Sequence, residues 1–307
     1  VLFVYNDTRS PYQWAPGLVA AAKKRGTRHK LLRQGDDSYR GTVGYFFGRC
    51  EQRAEVLPHA RGYCQRVATW PGITSVIAPR EYLHYERKDL QALEFAHFMP
   101  ETWNCTRKVQ THAALDALGL PLISKSNQGS SSSNVRLIET REQALLEASL
   151  ALGAQGLQTA RGVQKGYVLW QRYLAQNDYA YRVVRIGGWY WLLRIFNRDD
   201  KPMASGSGKF EAIERVHSGS QELDVLRWAH DFCEQHAMRW VGLDIISDPR
   251  TGAWRLLETT LAWNLRAKGA NEACAVMNEH GELHPNGYHG RDQWALLLDE
   301  IEQGVFG

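Results

Sequence analysis

The sequence predicts a mixed fold of the α/β and α+β classes, built from more than one unit. Three observations predict it. In residues 1–100 short apolar runs alternate with helical patterns, as in a small α/β unit. Residues 121–152 read as strand, Gly/Ser loop, strand and helix. The last third is rich in β-branched and aromatic runs and ends in two strands separated by DPRTG, a turn sequence that makes them a hairpin.

Composition bounds what such a chain can be. With 307 residues, 44% of them hydrophobic, it can bury a sizeable core and form two or three compact units. Lys and Arg number 37 against 33 Asp and Glu, a formal charge of +4. That balance suits an anionic small molecule and lacks the contiguous basic tract of a nucleic-acid tail. Five widely spaced cysteines contain no CxxC pair and are odd in number, which favours a reducing compartment and a cytoplasmic location over a disulfide scaffold. The opening VLFVY is too short for a signal or membrane segment, so it reads as a first strand and the chain as free of membrane. Eleven Trp and thirteen Tyr are scattered without a repeat, the pattern of aromatics in cores and clefts.

Taken in order, the elements are these. After VLFVY come an amphipathic helix near 13–25, strands HKLLRQ and TVGYFFG, and a helix near 54–68. From 106 the text becomes TRKVQTHAALDALGLPLISK. Thr106 can cap a helix carrying Val109, Ala113, Leu115 and Leu118, and Gly119 with Pro121 stop it. PLISK, NQGSSSS, NVRLI and the helix REQALLEASLAL follow. Then come strands YVLWQRYL, YRVVRIGG and WYWLLRIF, a helix at 221–236, and the hairpin VGLDIIS and WRLLETT. Two amphipathic stretches, NEACAVMNEH and RDQWALLLDEIEQ, are expected to cover a sheet face. The expected units are residues 1–105, 106–168 and 169–307.

Three groups of residues can carry chemistry. Lys125 ends a strand and is followed by Ser126, Asn127, Gln128, Gly129 and four serines, a loop whose N–H and hydroxyl groups can wrap polyphosphate. It is no Walker A loop, because the lysine precedes the glycine; taken alone, a surface turn is the commoner reading. Asp244 and Glu258 fall on neighbouring strands of the hairpin, where two carboxylates can hold Mg2+ or Mn2+ against phosphates. The plain alternative is an internal ion pair and a rim carboxylate. Lys108, Arg182 and Arg194 form a basic set, each of which could equally be a surface ion-pair donor.

Read in this order, the motifs resemble the ATP-grasp superfamily, in particular its RimK-like and glutathione-synthetase-like carboxylate-amine ligases, over roughly residues 100–270. Residues 1–105 would be the usual preceding domain. The resemblance implies that Lys108 and Lys125 hold nucleotide phosphates and that Asn127, Gln128, Gly129, Ser130 and Ser131 belong to the flap. It implies that Gln171, Arg172, Tyr173 and Leu174 border adenine, and that Asp244 and Glu258 are metal ligands. Thr260 stands where the family usually has a metal-binding asparagine, with Asn264 as a substitute amide. Arg172 replaces a common glutamate, and serines replace the second glycine of the flap.

The implied activity is ATP- and Mg2+- or Mn2+-dependent ligation of a carboxylate to an amine through an acyl phosphate. Arg194 or Arg182 would stabilise the oxyanion. Carboxylate- and amine-bearing partners, including a peptide or protein terminus, are implied, and a homo-oligomer is left open. Two rivals stay open: a catalytically silent nucleotide-regulated binding protein, suggested by Thr260 and Arg172, and a basic, aromatic nucleic-acid binder or structural protein.

Overall fold

The computed structural model describes residues 1–6, 15–50, 56–129, 134–160, 162–198, 201–213, 215–261, 263, 275–277, 283–285 and 293–306. Ser130, Ser131 and Asn264 therefore lie outside the described residues.

The N-terminal apolar runs form a parallel sheet because each is short and β-rich, with a helix between the first and second and another between the third and fourth. Its strands are β1 (Leu2–Asn6), β2 (His29–Leu32), β3 (Gly44–Arg49) and β4 (Ile73–Ser75), in the order β2-β1-β3-β4. Helix α1 (Ala15–Arg25) connects β1 to β2, and α2 (Leu57–Val67) connects β3 to β4. Two short helices follow, α3 (Pro79–His84) and α4 (Lys88–Glu94). Sequence periodicity did not single out these two, since neither reaches two full turns.

The second sheet is antiparallel and contains β5 (Thr102–Cys105), β6 (Leu122–Lys125), β7 (Val135–Ile138) and β10 (Val168–Arg172), in the order β5-β10-β6-β7. Its strands span residues 102–172, so β5 and β10 pair from either side of the 106–168 segment. Helices α5 (Lys108–Leu118) and α6 (Arg141–Ala151) cover it and supply a core that includes Leu115, Leu118, Ala144 and Trp170. A small β8–β9 ribbon (Leu157–Thr159 and Gly162–Gln164) intervenes. The N-cap of α5 is Arg107, not Thr106; the Gln110 carboxamide oxygen accepts from the N–H groups of both, 2.9 Å each.

The third sheet has seven strands: β11 (Tyr179–Ile186), β12 (Trp189–Arg198), β13 (Lys201–Ala212), β14 (Trp240–Ser247), β15 (Trp254–Thr260), β16 (Ala275–Met277) and β17 (Leu283–Pro285). The expected hairpin is present: β14 and β15 pair antiparallel, and Asp248 N–H bonds Ala253 O at 2.8 Å across the turn. The stretch expected to cover a sheet face as NEACAVMNEH instead contributes β16 to the sheet, paired with β12. The continuous apolar run Ala275, Val276 and Met277 suits a short strand as well as a buried helix segment.

One face of this sheet packs on α7 (Gln221–Gln235) through Val183, Leu192, Leu243, Leu256, Leu226 and Phe232. The opposite face carries Val184, Trp191, Leu193 and Trp240, which are continuous with the core of the N-terminal sheet and with α8 (Gln293–Glu302). Buried aromatic area of this kind contributes about 25 cal/mol per Å2, so the first and third sheets are joined by packing and not by a linker alone. No helix among the described residues is long and apolar enough to cross a membrane.

Candidate nucleotide and metal site

Strand parity decides which predicted residues meet. Arg182 on β11 lies opposite Asp244 on β14, and Asp244 lies opposite Glu258 on β15, so the three form a row across one face. A bulge interrupts the β14–β15 pairing just beyond Asp244, with Asp244 opposite Glu258 but Ile245 opposite Leu256. Leu257, the residue skipped, turns its carbonyl to the Lys125 ammonium at 3.2 Å. Bulges bend a strand and redirect its groups; here the bend joins the last residue of β6 to β15.

The row is tightly paired. The Arg182 guanidinium grips both oxygens of Asp244, 2.7 Å each, and the Lys88 ammonium lies 3.3 Å from Glu258 Oε2. Lys88 also donates to the carbonyls of Asn127 at 3.3 Å and Gly129 at 3.5 Å. Lys88, Lys125 and Arg182 thus face Glu86, Asp244 and Glu258, three cations to three carboxylates.

Lys88 was not among the residues expected from sequence, and its position has a clear cause. It occupies the buried stripe of α4 with Gln91, Ala92 and Phe95, at the spacing of one helix face. The Gln91 carboxamide bonds both the N–H and the carbonyl of Thr259, at 2.9 and 3.0 Å. That ties α4 to β15 one residue beyond Glu258 and brings Lys88, one turn earlier, against the carboxylate. Burial would lower the Lys88 ammonium, but Glu258 and Glu86 outweigh it and hold the pKa above the ordinary lysine value. For Lys125, 7% exposed, burial is the largest influence and brings the pKa down to about 8. Glu258 and Asp244 resist that fall, and Lys88 adds to it. Burial opposes the charge on Arg182, yet Asp244 and then Glu258 raise its pKa.

The loop after Lys125 is held at its root. Asn127 N–H donates to the Tyr167 hydroxyl at 2.8 Å, Asp89 N–H to Asn127 Oδ1 at 2.9 Å, and Gly129 N–H to Glu86 Oε2 at 2.9 Å. The carbonyl of Gln128 accepts from Asn134 Nδ2 at 2.6 Å.

Other expected residues fall elsewhere. Lys108 is exposed at the start of α5, a helix packed on β5, α6 and β10, and its side chain is not brought to this row. Arg194 lies opposite Tyr181, on the other face of the sheet from Arg182. There its guanidinium pairs with Glu211 and Glu222 and stacks on Tyr179, so it is an ion-pair donor outside the row. Arg182 alone of the two arginines reaches the carboxylates. Gln171 is buried and bonds Thr102 Oγ1 at 2.8 Å; Tyr173 and Leu174 begin the connection from the second sheet to the third. The guanidinium of Arg172 turns to the carbonyls of Leu118 and Ala117 at the end of α5 and to Glu101, where it fastens helix to strand. Thr260 is buried, two residues beyond Glu258 on the same face, opposite Gly242.

Among the described residues no group of three His, Cys, Asp or Glu side chains is arranged for a metal ion. The pair Asp244 and Glu258 nevertheless fits Mg2+, a hard cation bound through one or two carboxylates plus phosphate oxygens and water. Each carboxylate keeps lone pairs beyond those used by Arg182 and Lys88.

No family model matches the chain, and no curated protein matches it by sequence. Solved structures do match it along almost its whole length. D-cycloserine synthetase DcsG is 15% identical, with a TM-score of 0.63, covering 99% of each chain. A RimK domain ATP-grasp protein from Sphaerobacter thermophilus is 14% identical with a TM-score of 0.59, covering 98% of this chain and 100% of that one. The ATP-grasp ligase PsnB, solved with a minimal precursor, Mg and ADP, is 14% identical with a TM-score of 0.58 over 99% and 98% of the two chains. With its three sheets and the row of charges between the second and third, this chain has the ATP-grasp fold.

Proposed function

We propose that the chain is an ATP-dependent carboxylate-amine ligase that works through an acyl phosphate. The observation that carries the reading is the row of Lys88, Lys125 and Arg182 facing Asp244 and Glu258. Buried cations of this density suit polyphosphate, and the carboxylates between them suit the divalent ion that accompanies it.

Lys88 and Lys125 hold the nucleotide's phosphates, the loop at 126–129 lies over them, and the 171–174 connection borders adenine. Asp244 and Glu258 hold Mg2+ or Mn2+, which supplies neutralisation of charge on the transferring phosphoryl group. A substrate carboxylate oxygen bonds to the γ-phosphorus as the bond to the bridging oxygen breaks and ADP leaves. An amine then attacks the acyl carbon, gives up a proton, and inorganic phosphate leaves. Arg182, at the end of the row, stabilises the oxyanion of that second step.

The acceptor class favoured is a peptide or protein. PsnB is solved with precursor peptides, the macrocyclase MdnC is bound with a precursor peptide, and a further RiPP-associated ATP-grasp ligase is in complex with leader and core peptides. We place the chain in the reducing cytoplasm, where the buried thiols Cys50, Cys64, Cys105 and Cys233 stay reduced.

One observation favours the silent alternative: Arg182 closes on both oxygens of Asp244, as a purely structural ion pair would. The two readings separate in one assay. With ATP, Mg2+, hydroxylamine and a panel of free and peptide carboxylates, a ligase forms a hydroxamate together with ADP. A protein that binds ATP and forms neither across the panel is the silent one.

A further inference from the structure

The loop root contains an anion already. Gly129 N–H, the kind of donor a phosphate oxygen needs, is taken by the Glu86 carboxylate at 2.9 Å. Glu86 is 8% exposed and has a φ of 55°, a left-handed conformation that glutamate rarely adopts. Gly129 has a φ of 147°, and a Cβ there would stand 3.0 Å from Asn134 Nδ2, so glycine is required where the carboxylate approaches. The Lys88 ammonium, two residues from Glu86, bonds the carbonyls of Asn127 and Gly129 on the same loop. A carboxylate, a loop N–H and a buried ammonium together form an anion site filled by the chain's own side chain. A neutral acceptor would satisfy Gly129 too, though more weakly; burying a charge there is unfavourable unless a cation answers it, as Lys88 does.

Resting on the nucleotide site proposed above, we infer that Glu86 occupies the phosphate position of the loop in the free protein and is displaced when nucleotide binds. The single N–H of Gly129 cannot serve two anions, so a phosphate oxygen that takes it must release Glu86. The side chain thereby sets nucleotide affinity by competition.

Calorimetry with the nonhydrolysable analogue AMPPNP and Mg2+ tests this on the full chain. E86Q and E86A are expected to bind about tenfold tighter than wild type, the worth of one charge-assisted hydrogen bond no longer broken. E94Q removes a carboxylate at the other end of α4, where Glu94 pairs with Arg80 and His84, and its affinity should stay within about twofold. Amide exchange at Gly129 should quicken in free E86A relative to free wild type and become equal once AMPPNP is bound. The inference is overturned if both Glu86 variants bind AMPPNP no more tightly than wild type, or if E94Q tightens binding as much. Absence of binding by wild type and all variants overturns the nucleotide reading itself, and this inference with it.

Discussion

Replacing Lys88 by Met tests the most consequential feature of the site, because that residue joins α4, the loop at 126–129 and β15. Met keeps the length and apolar volume of the stem while removing the ammonium. Lys88 is 6% exposed and lies 3.3 Å from Glu258, whose side chain is 26% exposed. Stripping one partner from a fully buried ion pair costs about 3–5 kcal/mol. Because Glu258 is partly solvated, the expected loss of stability is nearer ~2 kcal/mol. For the nucleotide, loss of a hydrogen bond from a charged donor is worth about 1.5–3 kcal/mol, roughly 10- to 150-fold in affinity. Calorimetry with AMPPNP and Mg2+ should therefore find K88M weakened by at least about tenfold. Lys108→Ala, exposed on the outer side of the second sheet, should change affinity by less than about twofold. Wild-type affinity in K88M together with a large loss in K108A would refute the reasoning and restore Lys108 to the phosphate site.

Further outcomes follow from charge and register. Lys125 has a free-protein pKa of about 8, so below that pH it already carries the charge phosphate needs, and above it nucleotide binding must take up a proton. Calorimetry in buffers of different ionisation heat should record proton uptake growing as pH passes 8, and none of that growth in Lys125→Arg; a flat profile in wild type would contradict the burial argument. Arg182→Lys, which loses the bidentate grip on Asp244, should lower turnover at least about tenfold, while Arg194→Lys changes it little; equal losses would return Arg194 to the chemistry. Buried Glu81 keeps its proton up to about 8, chiefly through burial, with Ala78 N–H, Arg185 and Arg80 pulling the other way. An unfolded glutamate releases its proton near about 4.3, so the folded state binds the extra proton between those values. From this group, stability falls as pH rises through that window and is flat outside it. Urea midpoints should lose this slope in Glu81→Gln; an unchanged slope would contradict it.

Much of this architecture is legible in the sequence because its signals are local. The DPRTG turn fixes the β14–β15 hairpin and so brings Asp244 opposite Glu258. Lys125 at the end of PLISK is likewise readable. The two arginines could have been separated by the same means. Gly187 and Gly188 form a two-residue turn, and counting outward from it pairs Ile186 with Trp189 and Tyr181 with Arg194, which leaves Arg182 opposite Leu193 on the other face.

Lys88 is harder to find. Two lysines each open a helix that leads to a proline and a strand, Lys88 before MPETW and Lys108 before GLPLISK, and their spacing alone does not choose between them. Tertiary burial chooses: the bond from Gln91 to Thr259 pulls α4 inward, whereas α5 lies on the outside of its sheet. The bulge at Leu257 and the turn of Arg172 away to the end of α5 are likewise tertiary, since each depends on a partner more than fifty residues distant.

The most direct test of the account is a crystal structure of the chain with AMPPNP and Mg2+. The account predicts triphosphate between Lys88 and Lys125, metal on Asp244 and Glu258, and adenine beside residues 171–174. Nucleotide bound elsewhere, or phosphates that leave Lys88 paired with Glu258 and Glu86 on Gly129 undisturbed, would contradict it.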